Sequence, residues 1–540
     1  MLKRLRRCRT GRISGLRHSN VRTLQRVEYS VGNTIQNPLA APLAQASDVR
    51  FMNHKSPTAP PRSLARQVAG QMKGQRNPMS AHLQKLRLRA FASTLVITGL
   101  LAGVTASLAD INPWIKASQF NPARWDTAGP ETATPWLHPG TWTPDQGWGW
   151  FSGNPQAPNV LGSWGGLRDD LELMGISFSG AYSGQFAANP IGGQTPDGAS
   201  WIGSWNFGTF VDFSRLLDIE QRTYFTASFN LGTGNIGLTP NNVGNHFPVQ
   251  LSSSGEPGPS TRLVHLAVGS QLFNNTTELV GGRIITGEDF ATLATACTSV
   301  NQGICGNPIA GASSINFPTY PNAVWGGRVK VKPGNSWYAQ TGAYLVYPSL
   351  GDPSEHGVEF GAPDGSGVLA ISEVGVNVGN RASQTGLPGT YKVGGYYDTE
   401  RLTNLQTGAS ERNTWGIYAM GEQMLYSMDD SYSRGLWAWL ALSYAPPDLN
   451  EIMFMAAGGL SYVGPFNSRP EDSLSFIAAM GVFSKHLAGQ TAETILEVNY
   501  RAQILPAFYV QPDVQFILNP DGKSSIDDAI VVGFSVGSTF

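Results

Sequence analysis

Ile176-Ser177-Phe178-Ser179-Gly180-Ala181-Tyr182-Ser183-Gly184-Gln185-Phe186 is the stretch from which the fold can be read. Large apolar residues and glycines alternate with Ser, Ala and Gln. A pleated strand therefore puts the two sets on opposite faces. The same period of two returns along the chain. Trp205, Phe207, Val211 and Phe213 are interleaved with Asn206, Gly208 and Asp212, and Leu496, Val498 and Tyr500 with Glu497, Asn499 and Arg501. Sixteen such segments lie at about 175–187, 203–215, 221–230, 261–270, 277–286, 322–332, 336–347, 367–378, 389–398, 413–425, 435–444, 452–463, 472–484, 492–503, 508–518 and 528–540. Their usual length of about ten residues suits a tilted strand crossing a bilayer.

The connections separate into two kinds. If the first strand starts in the periplasm, connections after even-numbered strands are mostly short, as at 216–220, 271–276, 333–335 and 504–507. Those after odd-numbered strands include 188–202, 231–260, 287–321 and 348–366. Long outside and short inside is the pattern of an outer-membrane barrel. The expected fold is thus all-β: a transmembrane antiparallel β-barrel of sixteen strands over residues 164–540. A short helix is expected at Gly166–Met174. The last segment is amphipathic and closes on Phe540, which reads as a signal for the barrel-assembly machinery.

The amino-terminal part has another character. Residues 1–89 carry 18 Lys and Arg against two acids, Glu28 and Asp48, whereas everything from Asp110 onward is strongly acidic. Lys85, Arg87 and Arg89 precede an apolar run, Ala90 to Ala106, and Ser107-Leu108-Ala109 offers small residues for cleavage before Asp110. This is the layout of a secretory signal at 79–109. The basic extension 1–78 is expected to lie upstream of the true start at Met72 or Met79. No folded nucleic-acid module accompanies it, and no nucleic-acid partner is expected. Residues 110–163, rich in Trp, Pro and Gly, read as an irregular periplasmic leader. In an exported chain the pair Cys297 and Cys305 reads as a disulfide closing a small loop.

Enzyme motifs fail on context. Gly232-Thr233-Gly234-Asn235-Ile236-Gly237 fits a dinucleotide fingerprint, yet Leu238-Thr239-Pro240-Asn241-Asn242 follows instead of a helix. Gly533-Phe534-Ser535-Val536-Gly537 fits a nucleophile elbow but leaves three residues for the helix that an elbow requires. The histidines from His138 onward show no ligand spacing. Neither catalysis, a metal nor a cofactor is expected.

What remains is a channel interior. Parity points Arg328, Lys330, Glu373, Glu497 and Arg501 inward, with Arg283 uncertain because Gly281-Gly282 precedes it. The third outer connection begins Gly287-Glu288-Asp289-Phe290. By analogy with sixteen-stranded porins it folds inward, which makes Glu288 and Asp289 constriction candidates. Trp201, Trp325, Tyr338 and Tyr344 are candidate sugar-stacking faces, although aromatics that girdle a bilayer look the same in sequence.

Ser163-Trp164-Gly165-Gly166-Leu167-Arg168-Asp169-Asp170-Leu171, continuing to Gly175-Ile176-Ser177-Phe178-Ser179-Gly180, resembles the opening of the carbohydrate-selective porin (OprB) family. Gly394-Gly395-Tyr396-Tyr397, Glu422-Gln423, Arg469-Pro470-Glu471-Asp472, Glu497-Val498-Asn499-Tyr500 and Gln511-Pro512-Asp513-Val514-Gln515-Phe516 follow in the family's order. The resemblance implies a passive, sugar-preferring diffusion channel of the outer membrane. Its partners are sugars as transported solutes, with lipid and lipopolysaccharide around the barrel, and a homotrimer stays open. A general diffusion porin and a secreted β-rich carbohydrate-binding protein are the alternatives.

Overall fold

A computed structural model describes residues 149–235, 237–251 and 260–540. The basic extension, the secretory signal and the leader up to residue 148 lie outside the described residues.

Sixteen antiparallel strands close on themselves. They are β1 (Ile176–Gly193), β2 (Gly198–Asp212), β3 (Thr223–Gly234), β4 (Thr261–Leu272), β5 (Thr277–Ile284), β6 (Val324–Val331), β7 (Trp337–Val346) and β8 (Gly367–Val378). Then come β9 (Gly389–Asp398), β10 (Thr414–Ser427), β11 (Gly435–Tyr444), β12 (Ile452–Val463), β13 (Ser473–Phe483), β14 (Ala492–Leu505), β15 (Phe508–Leu518) and β16 (Asp527–Thr539). Closure leaves the barrel no unpaired edge strand, which a lipid environment demands because it offers no competing hydrogen bonds. Among the described residues no helix is long and apolar enough to cross a membrane.

Each segment read from alternation is a strand, and one connection differs. The long outer connection expected at 188–202 is the turn 194–197, because β1 and β2 extend above their neighbours. Pro190 is accommodated where the β1–β16 register shifts between Ala188 and Ile191. Asn189 then closes the turn, its amide donating to the Gly192 and Thr195 carbonyls and its oxygen accepting from Gly198 N–H.

The helix α1 (Leu167–Leu173) precedes β1 and explains the Trp-Gly-Gly-Leu-Arg stretch. Gly165 and Gly166 take φ values of 69° and 97°, a conformation that glycine adopts without steric cost. That turn sends Arg168 across the seam where β1 meets β16. Its guanidinium donates to the Phe540 carbonyl at 3.2 Å and the Phe178 carbonyl at 3.0 Å, while Phe540 N–H bonds Gly180 O at 2.7 Å.

Outward faces carry apolar side chains bounded by two aromatic rows. Trp337, Tyr391 and Tyr426 stand toward the short-turn end, and Tyr397, Trp415 and Tyr444 toward the long-loop end, all exposed. These rows are what the two membrane interfaces select. Trp201 and Trp325 belong to the outward face by register, since Trp201 opposes Phe186 and the Trp325 ring lies against Phe360.

The interior is filled from the long-loop end. The described part of loop 2 (237–251) and loop 3 (285–323) turn inward, and Phe247, Phe290, Leu293, Ile304, Ile309 and Phe317 join inward wall residues in one buried cluster. Burying each such side chain contributes about 1.5–3 kcal/mol.

A constriction built by loop 3

Loop 3 enters through a short helix, α2 (Thr286–Asp289), and is held along its course by inward side chains of the wall. Glu288 meets His265 of β4 at 2.9 Å, and His265 in turn faces Ser228 of β3 at 2.7 Å. Asp289 pairs with Arg328 of β6 at 2.8 Å, and Arg328 also pairs with Glu278 of β5 at 2.8 Å. One planar guanidinium thus ties two strands and the loop.

Further along, wall carboxylates accept from loop N–H groups. Glu373 of β8 accepts from Ala291 N at 3.0 Å and from the hydroxyls of Tyr338 and Tyr418. Glu422 of β10 accepts from the Thr295 amide and hydroxyl at 3.1 and 2.7 Å, with Arg381 as its counter-charge at 2.6 Å. Glu497 of β14 accepts from Val300 N at 2.9 Å and from the Ser299 hydroxyl. Lys392 donates to the Thr292 carbonyl, Ser443 accepts from Ala310 N, and Gln515 accepts from Asn301. A buried carboxylate without partners would cost several kcal/mol, so each of these positions holds both the acid and the loop in place.

The sequence-predicted residues divide accordingly. Asp289, Arg328 and Lys330 come together with Glu278 on one stretch of wall, and Glu288 stands one residue before Asp289. Glu278, Glu288 and Asp289 keep side-chain exposures of 24, 29 and 25%. Lys330 is half-buried, its ammonium 4.5 Å from the Tyr338 ring centre. Arg328, Glu373, Glu497 and Arg501 are buried, Arg501 lying 3.5 Å over the Tyr509 ring. They face inward as parity requires, yet loop 3 or a neighbouring side chain covers them.

Arg283 is a correction. The β5–β6 register runs unbroken through Gly281 and Gly282, and Arg283 sits in register with outward Trp325. It donates to the Leu263 carbonyl at 2.9 Å beneath loop 4 (347–366), where Gly357 lies against it. The cysteines are a second correction. Cys297 and Cys305 are buried free thiols, not the expected disulfide. Gly306 N–H donates to Cys297 Sγ at 3.0 Å, and the Cys305 thiol bonds the same sulfur.

Sequence reasoning missed Glu278, Glu422, Arg381, Lys392 and His265. Glu278 was open to detection, because it shares a ladder row with Lys330, Gln340 and Glu373. The two enzyme-like motifs are wall and loop. Ser535 accepts from Gln185 inside the barrel, and Gly232–Gly234 ends β3.

A closed sixteen-stranded barrel with apolar outward faces, aromatic girdles and an inward-folded third loop defines a porin of the outer membrane. The profile of the family described as "Carbohydrate-selective porin, OprB family" matches residues 197–540. The chain belongs to this family and is an outer-membrane carbohydrate porin. It is 25% identical to "Porin B" of Pseudomonas aeruginosa over 431 residues, covering 72% of this chain and 92% of that one. It is 26% identical to "Putative porin QuiX" of Acinetobacter baylyi over 432 residues, covering 74% of this chain and 94% of the relative. Among solved structures it is similar in fold to Pseudomonas putida OprB at high pH, with a TM-score of 0.65, 22% identity and coverage of 71% of this chain and 99% of that one.

Proposed function

We propose that the selective step is passage of a neutral polyhydroxylated solute past the exposed charges of Glu278, Glu288, Asp289 and Lys330. The observation that carries this reading is that these four keep solvent exposure while the other inward charges are covered. Acids and a cation on one stretch of wall orient hydroxyl groups through opposed hydrogen bonds. Three acids stand against one cation, with Arg328 paired to Glu278 and Asp289, so a saturable sugar site with a modest preference for cations is expected. Single-channel conductance with a panel of monosaccharides and small oligosaccharides as blockers tests it. Current that no sugar blocks would leave a general diffusion channel.

Export by cleavage before Asp110 belongs to the same reading. Amino-terminal sequencing of protein taken from outer membranes tests it, and recovery of the Arg4–Arg9 cluster would defeat it. Lipopolysaccharide contacts the outer aromatic row, and β16 is the strand offered to the assembly machinery.

A further inference from the structure

At the extracellular end of β9, beyond the charged group just described, Asp398 and Glu400 are both 0% exposed. Asp398 Oδ1 accepts from Glu400 N at 2.7 Å, and Glu400 Oε1 accepts from the side-chain amide of Asn316, on the returning limb of loop 3, at 2.6 Å. The second oxygen of each carboxylate, Asp398 Oδ2 and Glu400 Oε2, is buried without a donor. Neither neighbouring arginine hydrogen-bonds the pair, although the charge of Arg412 acts on Glu400 from a distance. Arg401 pairs with Asp364 at 3.6 Å, and Arg412 donates to the Ser366 and Thr399 carbonyls.

An independent group adds to the same deficit of donors. Asn450 is 0% exposed, and its Oδ1 also lacks a partner. Its amide donates to Thr414 Oγ1 at 2.7 Å, and Thr414 is the ladder partner of Asp398. Tyr396, two residues before Asp398 on the same inward face, lays its ring against Phe317 of loop 3. Adjoining residues thus present acceptor oxygens with nothing to accept from.

We propose that Asp398, Glu400 and Asn450 form a binding site for a divalent cation of the calcium type. The donors are all oxygen, two carboxylates and a side-chain carbonyl, with neither His nor Cys among them. Hard cations that accept irregular oxygen sets prefer such donors, whereas zinc and copper do not. The bound ion neutralises the carboxylate pair. Through Glu400 and Asn316 it fixes the returning limb of loop 3, as the Arg328–Asp289 pair fixes the entering one.

The test uses the mature porin purified in detergent, with calcium alone as the probe. Thermal unfolding is followed in chelator and in calcium up to about 10 mM, well above the roughly millimolar weak end of extracellular calcium sites. Terbium luminescence sensitised by nearby aromatic rings gives a second readout. The native protein is expected to show a saturable rise in Tm and saturable luminescence. Glu400→Gln, which keeps a hydrogen-bonding side chain of the same shape, should melt above the native protein in chelator and below it in calcium. Asp398→Asn combined with Glu400→Gln should abolish both responses. The proposal is overturned if the native protein shows no calcium response over this range. Equal responses in native and doubly substituted protein would overturn it too, by placing the ion on lipid or on other acids.

Discussion

The two faces of β14 differ in a way that inverts first expectation. Outward Leu496 and Val498 are 42 and 38% exposed, whereas inward Glu497, Asn499 and Arg501 are 1, 2 and 5% exposed. In a wet channel the inward charges would be the solvated ones. Here loop 3 covers Glu497 and Asn499, the Tyr509 ring covers Arg501, and the apolar face is left for lipid. Period-two alternation therefore separates lipid from interior but does not separate a wetted wall from a covered one. The stretch around Glu278 and Lys330 is inward and wet; the stretch around Glu497 is inward and dry.

The largest effect expected from this comparison is on the lipid face. Val498→Arg should impair assembly by roughly 2–4 kcal/mol near mid-bilayer, read as loss of folded barrel in urea titrations. A wild-type midpoint would mean that this face does not meet lipid.

Next comes the dry wall. Glu373→Ala strips the acceptor from Ala291 N, Tyr338 and Tyr418, each left unpaired at a cost of about 1–3 kcal/mol. Loop 3 should loosen while the barrel persists, giving larger and noisier single-channel currents with weaker sugar block. Glu497→Ala should act likewise at the other end of the loop. Normal currents in both variants would show that the loop holds its course without these acceptors.

A smaller effect follows from Glu400. Its folded value lies above that of a free carboxyl, so the protonated form favours the folded state. That stabilisation is present in acid and is lost as pH rises through about 7. In chelator, Tm should fall between about pH 5 and about pH 8, and Glu400→Gln should flatten this slope. A slope that persists in the variant assigns it to another group.

The smallest effect concerns the wet wall. Lys330→Met removes one cation from a mixed set whose other members stay in place. A slight shift of reversal potential toward cations, with folding unchanged, is the expected reading. A large shift would make Lys330 the dominant charge of the lumen.

How much of this was legible follows from particular residues. Period-two alternation is a local property, so all sixteen strands could be read from side-chain order. The turn at 194–197 could not, because Pro190, Gly192 and Gly193 carry loop chemistry while the β1–β16 register shift absorbs them. Arg283 was obscured because the Gly281-Gly282 pair made its parity doubtful, whereas the β5–β6 register runs unbroken and keeps it on the outward side with Trp325. The covering of Glu373, Glu422 and Glu497 depends on loop segments 82, 127 and 198 residues away in sequence. Alternation carries no information over such spans. Glu288 and Asp289 were named by analogy with the third loop of sixteen-stranded porins, and in the structure they open that loop against His265 and Arg328.

Loop 3 also bears on how channels of this kind diverge. Sixteen strands alone would enclose a far wider opening, so the bore is a property of the insert and the barrel serves as its housing. The two are joined at a few positions on separate strands, several of which take only a backbone N–H of the loop, as Glu373 takes Ala291 N and Ser443 takes Ala310 N. Loop side chains that face the solute can then be exchanged while the attachment points stay fixed. Solute preference is free to drift between lineages without a new barrel having to be invented each time.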